Sequence, residues 1–301
     1  ERDPDASAPL YVRIGFFEVH RVRSGYEEYA AKGPDPERVE VPPPLPDTKE
    51  VRQDIAAFEG CVRTMDKAVG RILDALDDAG LTENTLVVFT TDHGPAFPRA
   101  KATLYEDGIR TALLLRWPGH ALENEVRNEL ISNIDLAPTL LEAAGLRPFH
   151  DMSGRSFLGL LRRTSYRPRD VVFAEKNTHP SDLKRAVRTA RWKYIRNESE
   201  GPELAMPSDV ASSASGRSVG DRFDKPRPPV ELYDLRSDPG ETRNLAGTPE
   251  AEEVQANLEA RLQRWREATD DPLLKGPLKR PEGEKKILEK NYSRYGLSVP
   301  D

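Results

Sequence analysis

The chain has 301 residues and a mass of 33.8 kDa, enough for one large domain or one and a half medium ones, and enough to bury a real core. A net charge of −6 with both signs interspersed lacks the basic footprint that a phosphate backbone demands, which argues against a nucleic-acid partner. With Cys61 as the single cysteine neither an intrachain disulfide nor a thiolate metal cluster can form, and no apolar run approaches the roughly 20 residues needed to span a bilayer.

In chain order, Leu10 to Phe17 is an aromatic and β-branched run that predicts a buried strand, with His20 at its C-terminal mouth. Residues 21 to 47, with Pro42-Pro43-Pro44 and Pro46, cannot propagate a helix and predict a surface excursion. Asp47 is placed to cap the next helix, with Glu50 answering. Val51, Ile55, Phe58, Val62, Met65, Val69, Ile72 and Leu76 then recur at steps of four and three, a long amphipathic helix that Gly80 stops. Leu86 to Phe89 and Ala112 to Leu115 are short all-apolar strands suited to a sheet covered on both faces. Asp135 is expected to cap a helix carrying Leu136, Leu140 and Leu141, which Gly145 ends. The order predicts an α/β unit with a parallel sheet over residues 1–150.

Residues 151–301 have another texture and predict a smaller strand-and-helix subdomain. Val171 to Ala174, Ala186 to Ile195 and Val230 to Leu235 are expected strands; residues 207 to 230, rich in Ser, Pro, Gly and charge, are an expected flexible loop. Thr248-Pro249 opens a helix with Val254, Leu258, Leu262 and Trp265 on one face, followed by a charged, Pro-interrupted tail from Asp271.

The densest chemistry follows the strand Leu86 to Phe89, in Asp92-His93-Gly94, where ligands collect beyond the carboxyl ends of strands in open parallel sheets. A carboxylate beside an imidazole can ligate a metal; equally, Asp92 can cap a turn and His93 be a plain loop histidine. Lys101 follows, then Thr103-Leu104-Tyr105-Glu106-Asp107-Gly108 and Arg116-Trp117-Pro118-Gly119. Together with Gly15-Phe16-Phe17-Glu18-Val19-His20-Arg21, Ser132 to Leu140, Arg188 to Ile195, Glu231 to Leu235, Asp238-Pro239-Gly240-Glu241 and Asn244-Leu245-Ala246, this ordered set resembles the sulfatase family of the alkaline-phosphatase superfamily, from about residue 10 to about 272. Ala96-Phe97-Pro98-Arg99, Pro46-Asp47-Thr48 and Thr269-Asp270-Asp271-Pro272 are similar to heparan N-sulfatase (sulfamidase) members.

The resemblance implies an α/β fold, part of an alkaline-phosphatase-like, mostly parallel sheet sandwiched by helices, with a C-terminal α+β subdomain of antiparallel strands and a packed helix. Residues 1–150 would then be the C-terminal half of the catalytic core. It implies a sulfuric-ester or sulfamate hydrolase acting on sulfated sugars such as N-sulfoglucosamine, with Asp92 and His93 as Ca2+ ligands, Lys101 on the sulfuryl group, His20 against the scissile oxygen or nitrogen, and His179 lining the substrate pocket. The family's formylglycine nucleophile arises in a Cys-x-Pro-x-Arg segment that this sequence lacks; Cys61 is followed by Val62-Arg63-Thr64, so the chain alone is expected to be inactive. The resemblance also suggests export or a lysosomal location. Ala102, Asp107 and Ala112 depart from the family's Gly, Gly and Pro, and a turn needing positive φ is expected to be strained at Asp107. Alternatives are a phosphoric-ester or phosphonate hydrolase of the same superfamily, or a non-catalytic binding module.

Overall fold

The computed structural model describes residues 10–21, 25–120, 124–177 and 182–276, with isolated positions at 278, 283, 286, 289 and 293. The first long element is α1 (Lys49–Asp78), whose buried face carries Val51, Ile55, Ala56, Ala57 and Cys61. Its cap is Thr48 rather than Asp47: the Thr48 hydroxyl accepts from the Val51 amide at 3.3 Å, while Asp47 is drawn off by Arg52, whose Nη2 donates to Oδ2 at 2.7 Å. Gly80, at φ +65°, ends the helical run as expected.

Next come β1 (Val87–Thr90), the one-turn α2 (Glu106–Ile109) and β2 (Leu113–Arg116). In the described residues β1 and β2 pair antiparallel, Phe89 opposite Leu114, not parallel as the strand order suggests. The connection, residues 91–112, folds back as a compact loop with a single helical turn instead of the longer helix that usually carries a chain back to the start of a parallel strand. In α3 (Leu136–Ala143) the capping differs again. Ser132 forms the capping box of the preceding turn, and the Asp135 carboxylate instead accepts from the amides of Ser132 and Arg155 and from Arg169 Nε at 2.8 Å.

Leu10 to Phe17 forms no strand among the described residues. Leu10, Tyr11, Val12, Ile14 and Phe17 are more than half exposed. Their β-propensity is not realised because no described strand runs beside them to take up the backbone hydrogen bonds.

After α4 (Leu158–Leu161) comes a four-stranded antiparallel meander: β3 (Val172–Lys176), β4 (Lys184–Arg188), β5 (Trp192–Asn197) and β6 (Val230–Asp234), in spatial order β3-β4-β5-β6. The expected single strand from Ala186 to Ile195 is a hairpin, folded at Thr189-Ala190-Arg191, where Thr189 Oγ1 accepts the Trp192 amide at 2.9 Å. Between β5 and β6 the expected flexible loop holds α5 (Ser208–Ala211) and α6 (Ala214–Ser218). Leu204, Val219 and Phe223 from this stretch are buried in one core with Val51, Ile55 and Cys61 of α1. Finally α7 (Glu252–Ala268) lays Leu258 and Leu262 against Val187, Tyr194 and Leu232 of the sheet, on the face expected. No described helix is long and apolar enough to cross a membrane.

Candidate functional site

The loop joining β1 to β2 is held more tightly than its lack of regular structure suggests. The Gly94 amide donates to the Gly108 carbonyl at 3.0 Å, Lys101 N to Pro95 O at 3.1 Å, and Thr103 Oγ1 to Ala100 O at 2.8 Å. Glycine is required at 94 by close approach: a Cβ there would sit 1.6 Å from the Asp107 carbonyl oxygen. The strain expected at Asp107 falls instead on Ala102, at φ +60°, beside Lys101.

The sheet β3-β6 clamps this loop from below. Fully buried Lys193 places its ammonium 2.8 Å from Glu106 and 2.9 Å from Glu241, and Arg188 reaches Glu106 at 3.0 Å. Burial pushes the Glu106 carboxyl up, but Lys193 and Arg188 outweigh it and hold the group down at about 2. For Glu241 burial wins over Lys193, so its carboxyl is raised. Arg99 donates to the Glu241 carbonyl at 2.6 Å and stacks 3.8 Å over the Tyr105 ring, whose hydroxyl donates to Glu231 at 2.8 Å. Burial raises the Tyr105 phenol well above its ordinary value, Glu231 adding to the effect, so the hydroxyl stays a donor.

Asp92 and His93 stand at the exposed rim of the loop. His93 Nδ1 lies 2.6 Å from the Gly94 carbonyl oxygen and therefore donates, leaving the Nε2 lone pair free; Nε2 is 3.8 Å from Asp92 Oδ2. Two donors at that separation can share one cation. The carboxylate suits Ca2+, whereas the imidazole is a softer ligand than the oxygens it prefers, and among the described residues no group of three or more His, Cys, Asp or Glu is arranged to hold a metal ion.

Lys101 Nζ pairs with Asp209 of α5 at 2.7 Å, both side chains being less than one-fifth exposed. His20 lies in a turn, not at a strand mouth; it is exposed and stacks on Phe17 at a centroid distance of 5.5 Å. Its neighbour Arg21 is 1 % exposed and ties the segment to the loop, with Nε donating to Ala96 O at 2.8 Å and Nη1 and Nη2 to Asp54 of α1 at 2.9 and 3.1 Å. Asp54 Oδ2 also accepts from the amide and hydroxyl of Ser215 in α6, the hydroxyl at 2.6 Å. Thus Arg21, Asp54 and Ser215 join the His20 segment, the loop and α5–α6. Among the described residues His20, Lys101 and the Asp92–His93 pair share no hydrogen bond or ion pair with one another. His179 lies outside the described residues. Cys61 is buried in α1, where burial pushes its thiol up, as expected of a packing residue. Sequence reasoning missed Asp54, Asp209 and Ser215. The only signal for Asp54 was its place beside Ile55 on the buried face of α1, where an aspartate needs a partner.

The fold is of the alkaline-phosphatase-like class. A protein solved in complex with its substrate D-glucosamine-2-N,6-O-disulfate superposes with a TM-score of 0.56 at 24% identity, over 73% of this chain and 42% of the other. The sulfatase family model matches residues 5–146, and the model for the C-terminal part of N-sulphoglucosamine sulphohydrolase matches residues 98–206. The chain belongs to the sulfatase family. It is 35% identical to an ulvan-active sulfatase of Formosa agariphila over 77% of this chain, and 29% identical to human N-sulphoglucosamine sulphohydrolase over 89% of it. It spans 41% and 62%, respectively, of the length of these two relatives.

Proposed function

We propose that this chain supplies part of the active site of a hydrolase of sulfuric esters or sulfamates, acting on sulfated sugars such as N-sulfoglucosamine. Residues 1–150 contribute the catalytic-core part and residues 151–301 a supporting subdomain. The observation that carries the reading is the Asp92–His93 pair, with the imidazole turned by the Gly94 carbonyl so that Nε2 and the Asp92 carboxylate lie 3.8 Å apart. These two residues would hold one side of a calcium shell, completed by oxygen ligands from outside the described residues. Calcium, when bound, neutralises charge that grows on the sulfuryl oxygens.

Lys101 adds a fixed ammonium in the middle of a loop that the C-terminal sheet clamps. One of its three N–H groups is taken by Asp209 and two remain for sulfuryl oxygens. His20, exposed at the rim, gives a proton to the departing oxygen or amine as the bond to sulfur breaks. The reading also assigns a substrate-contacting role to His179, as the family resemblance implies. The nucleophile, a formylglycine, belongs to a segment that this sequence does not contain, so the 301 residues by themselves turn nothing over.

The test is an assay of the full-length protein against N-sulfated and O-sulfated glucosamine, with 4-nitrophenyl phosphate and a phosphonate monoester in parallel. Sulfate release that chelation abolishes, and that Lys101→Met lowers by about a hundredfold or more, is the expected result. Preference for either phosphorus ester would replace the reading with a phosphoric-ester or phosphonate hydrolase, and turnover untouched in Lys101→Met would remove Lys101 from it.

A further inference from the structure

The partner of Lys101 bears on which anion the site accepts. Asp209 is not a chance neighbour on a mobile loop. It sits on α5, where Val210 is fully buried, and α6 follows directly, its Ser213 accepting the Gly216 amide and its Ser215 donating twice to the buried Asp54. The carboxylate is thus fixed on the same framework that holds Arg21 and, through Ala96, the Lys101 loop. Its Oδ2 is 2.7 Å from the ammonium. An anion taken by another N–H of that ammonium would lie about 5 Å from the carboxylate, from the tetrahedral angle and ordinary hydrogen-bond lengths.

We propose that Asp209 makes the Lys101 subsite selective for a singly charged oxyanion over a doubly charged one. The inference rests on the proposed role of Lys101. Alone, a lysine attracts a dianion more strongly than a monoanion. With Asp209 beside it the pair is neutral overall, so the ammonium still supplies directed N–H groups, while each additional charge on the ligand meets an additional repulsion from the carboxylate. A sulfate ester or sulfamate carries one negative charge. A phosphate monoester above its second pKa, near 6, carries two. Asp209 thereby holds the lysine in place and turns away the doubly charged ester that the subsite would otherwise favour.

The experiment compares full-length wild-type protein with the near-isosteric Asp209→Asn at pH 8, using 4-nitrophenyl sulfate, 4-nitrophenyl phosphate and a singly charged phosphonate monoester. The ratio of kcat/KM for phosphate to that for sulfate should rise on the order of tenfold, while the phosphonate-to-sulfate ratio changes less than about twofold, since those two ligands carry equal charge. Ratios are insensitive to the fraction of protein that folds. If Asp209→Asn abolishes turnover, calorimetric titration with methyl sulfate (one charge) and inorganic sulfate (two) reads the same selectivity as binding, and the affinity ratio should shift toward inorganic sulfate. An unchanged ratio, or an equal rise for both phosphorus esters, overturns the selectivity while leaving the sulfatase reading intact. A wild-type protein inert toward all three esters overturns both.

Discussion

Two apolar regions of this molecule have similar sequence character and opposite fates. In the C-terminal sheet, Val187, Tyr194, Ile195 and Leu232 are essentially inaccessible, covered on one face by α7 and on the other by Leu104 and Tyr105 of the β1–β2 loop. In the N-terminal part, Leu10, Tyr11 and Val12 lie exposed, and Leu114, at the centre of β2, is 61% exposed. Apolar, β-branched character selects an extended backbone; only a covering element converts it to burial. The difference teaches that the candidate site is fixed from its C-terminal side, where ion pairs and packing converge on the loop that carries Lys101.

The largest effect that would break this contrast is at the clamp. Lys193→Met leaves Glu106 and Glu241 facing each other with the ammonium gone, and is expected to cost about 3–5 kcal/mol, read as a drop in unfolding free energy in a denaturant titration. A loss below about 1 kcal/mol would mean that the buried ion pairs do not hold the loop to the sheet. A smaller, opposite effect sharpens it. Ala102 has φ +60°, a region that costs an alanine roughly 1 kcal/mol relative to glycine. Ala102→Gly should relieve that strain and stabilise by up to about 1 kcal/mol, less what glycine adds to the freedom of the unfolded chain. A destabilised Ala102→Gly protein would place the strain elsewhere.

Much of the framework was legible in the sequence because it is written in local patterns. The four-and-three spacing from Val51 to Leu76 yields α1, Gly80 and Gly145 end helices at positive φ, and Leu258 and Leu262 of α7 are buried as their spacing requires. What was illegible depends on distant partners. Nothing near Ser208 to Ser218 shows that this Ser-rich stretch is helical, since Ser215 meets Asp54 from 161 positions away. The hairpin turn at Thr189-Ala190-Arg191 has neither Gly nor Pro to mark it. Thr48 takes the cap expected of Asp47, which pairs with Arg52, and the Asp135 carboxylate turns back to the Ser132 and Arg155 amides and to Arg169 and makes no capping bond to α3. For the site, the motif located Asp92, His93 and Lys101 on one loop, but not the carboxylate that Lys101 faces.

Amide hydrogen exchange, followed by peptide mass spectrometry, tests most directly whether the site loop is an extension of the C-terminal sheet. Peptides covering residues 94–108 should exchange as slowly as those covering β4 and β5, and orders of magnitude more slowly than residues 10–17. Exchange of the loop at the rate of residues 10–17, with β4 and β5 still protected, would contradict the clamp on which the placement of Lys101 depends.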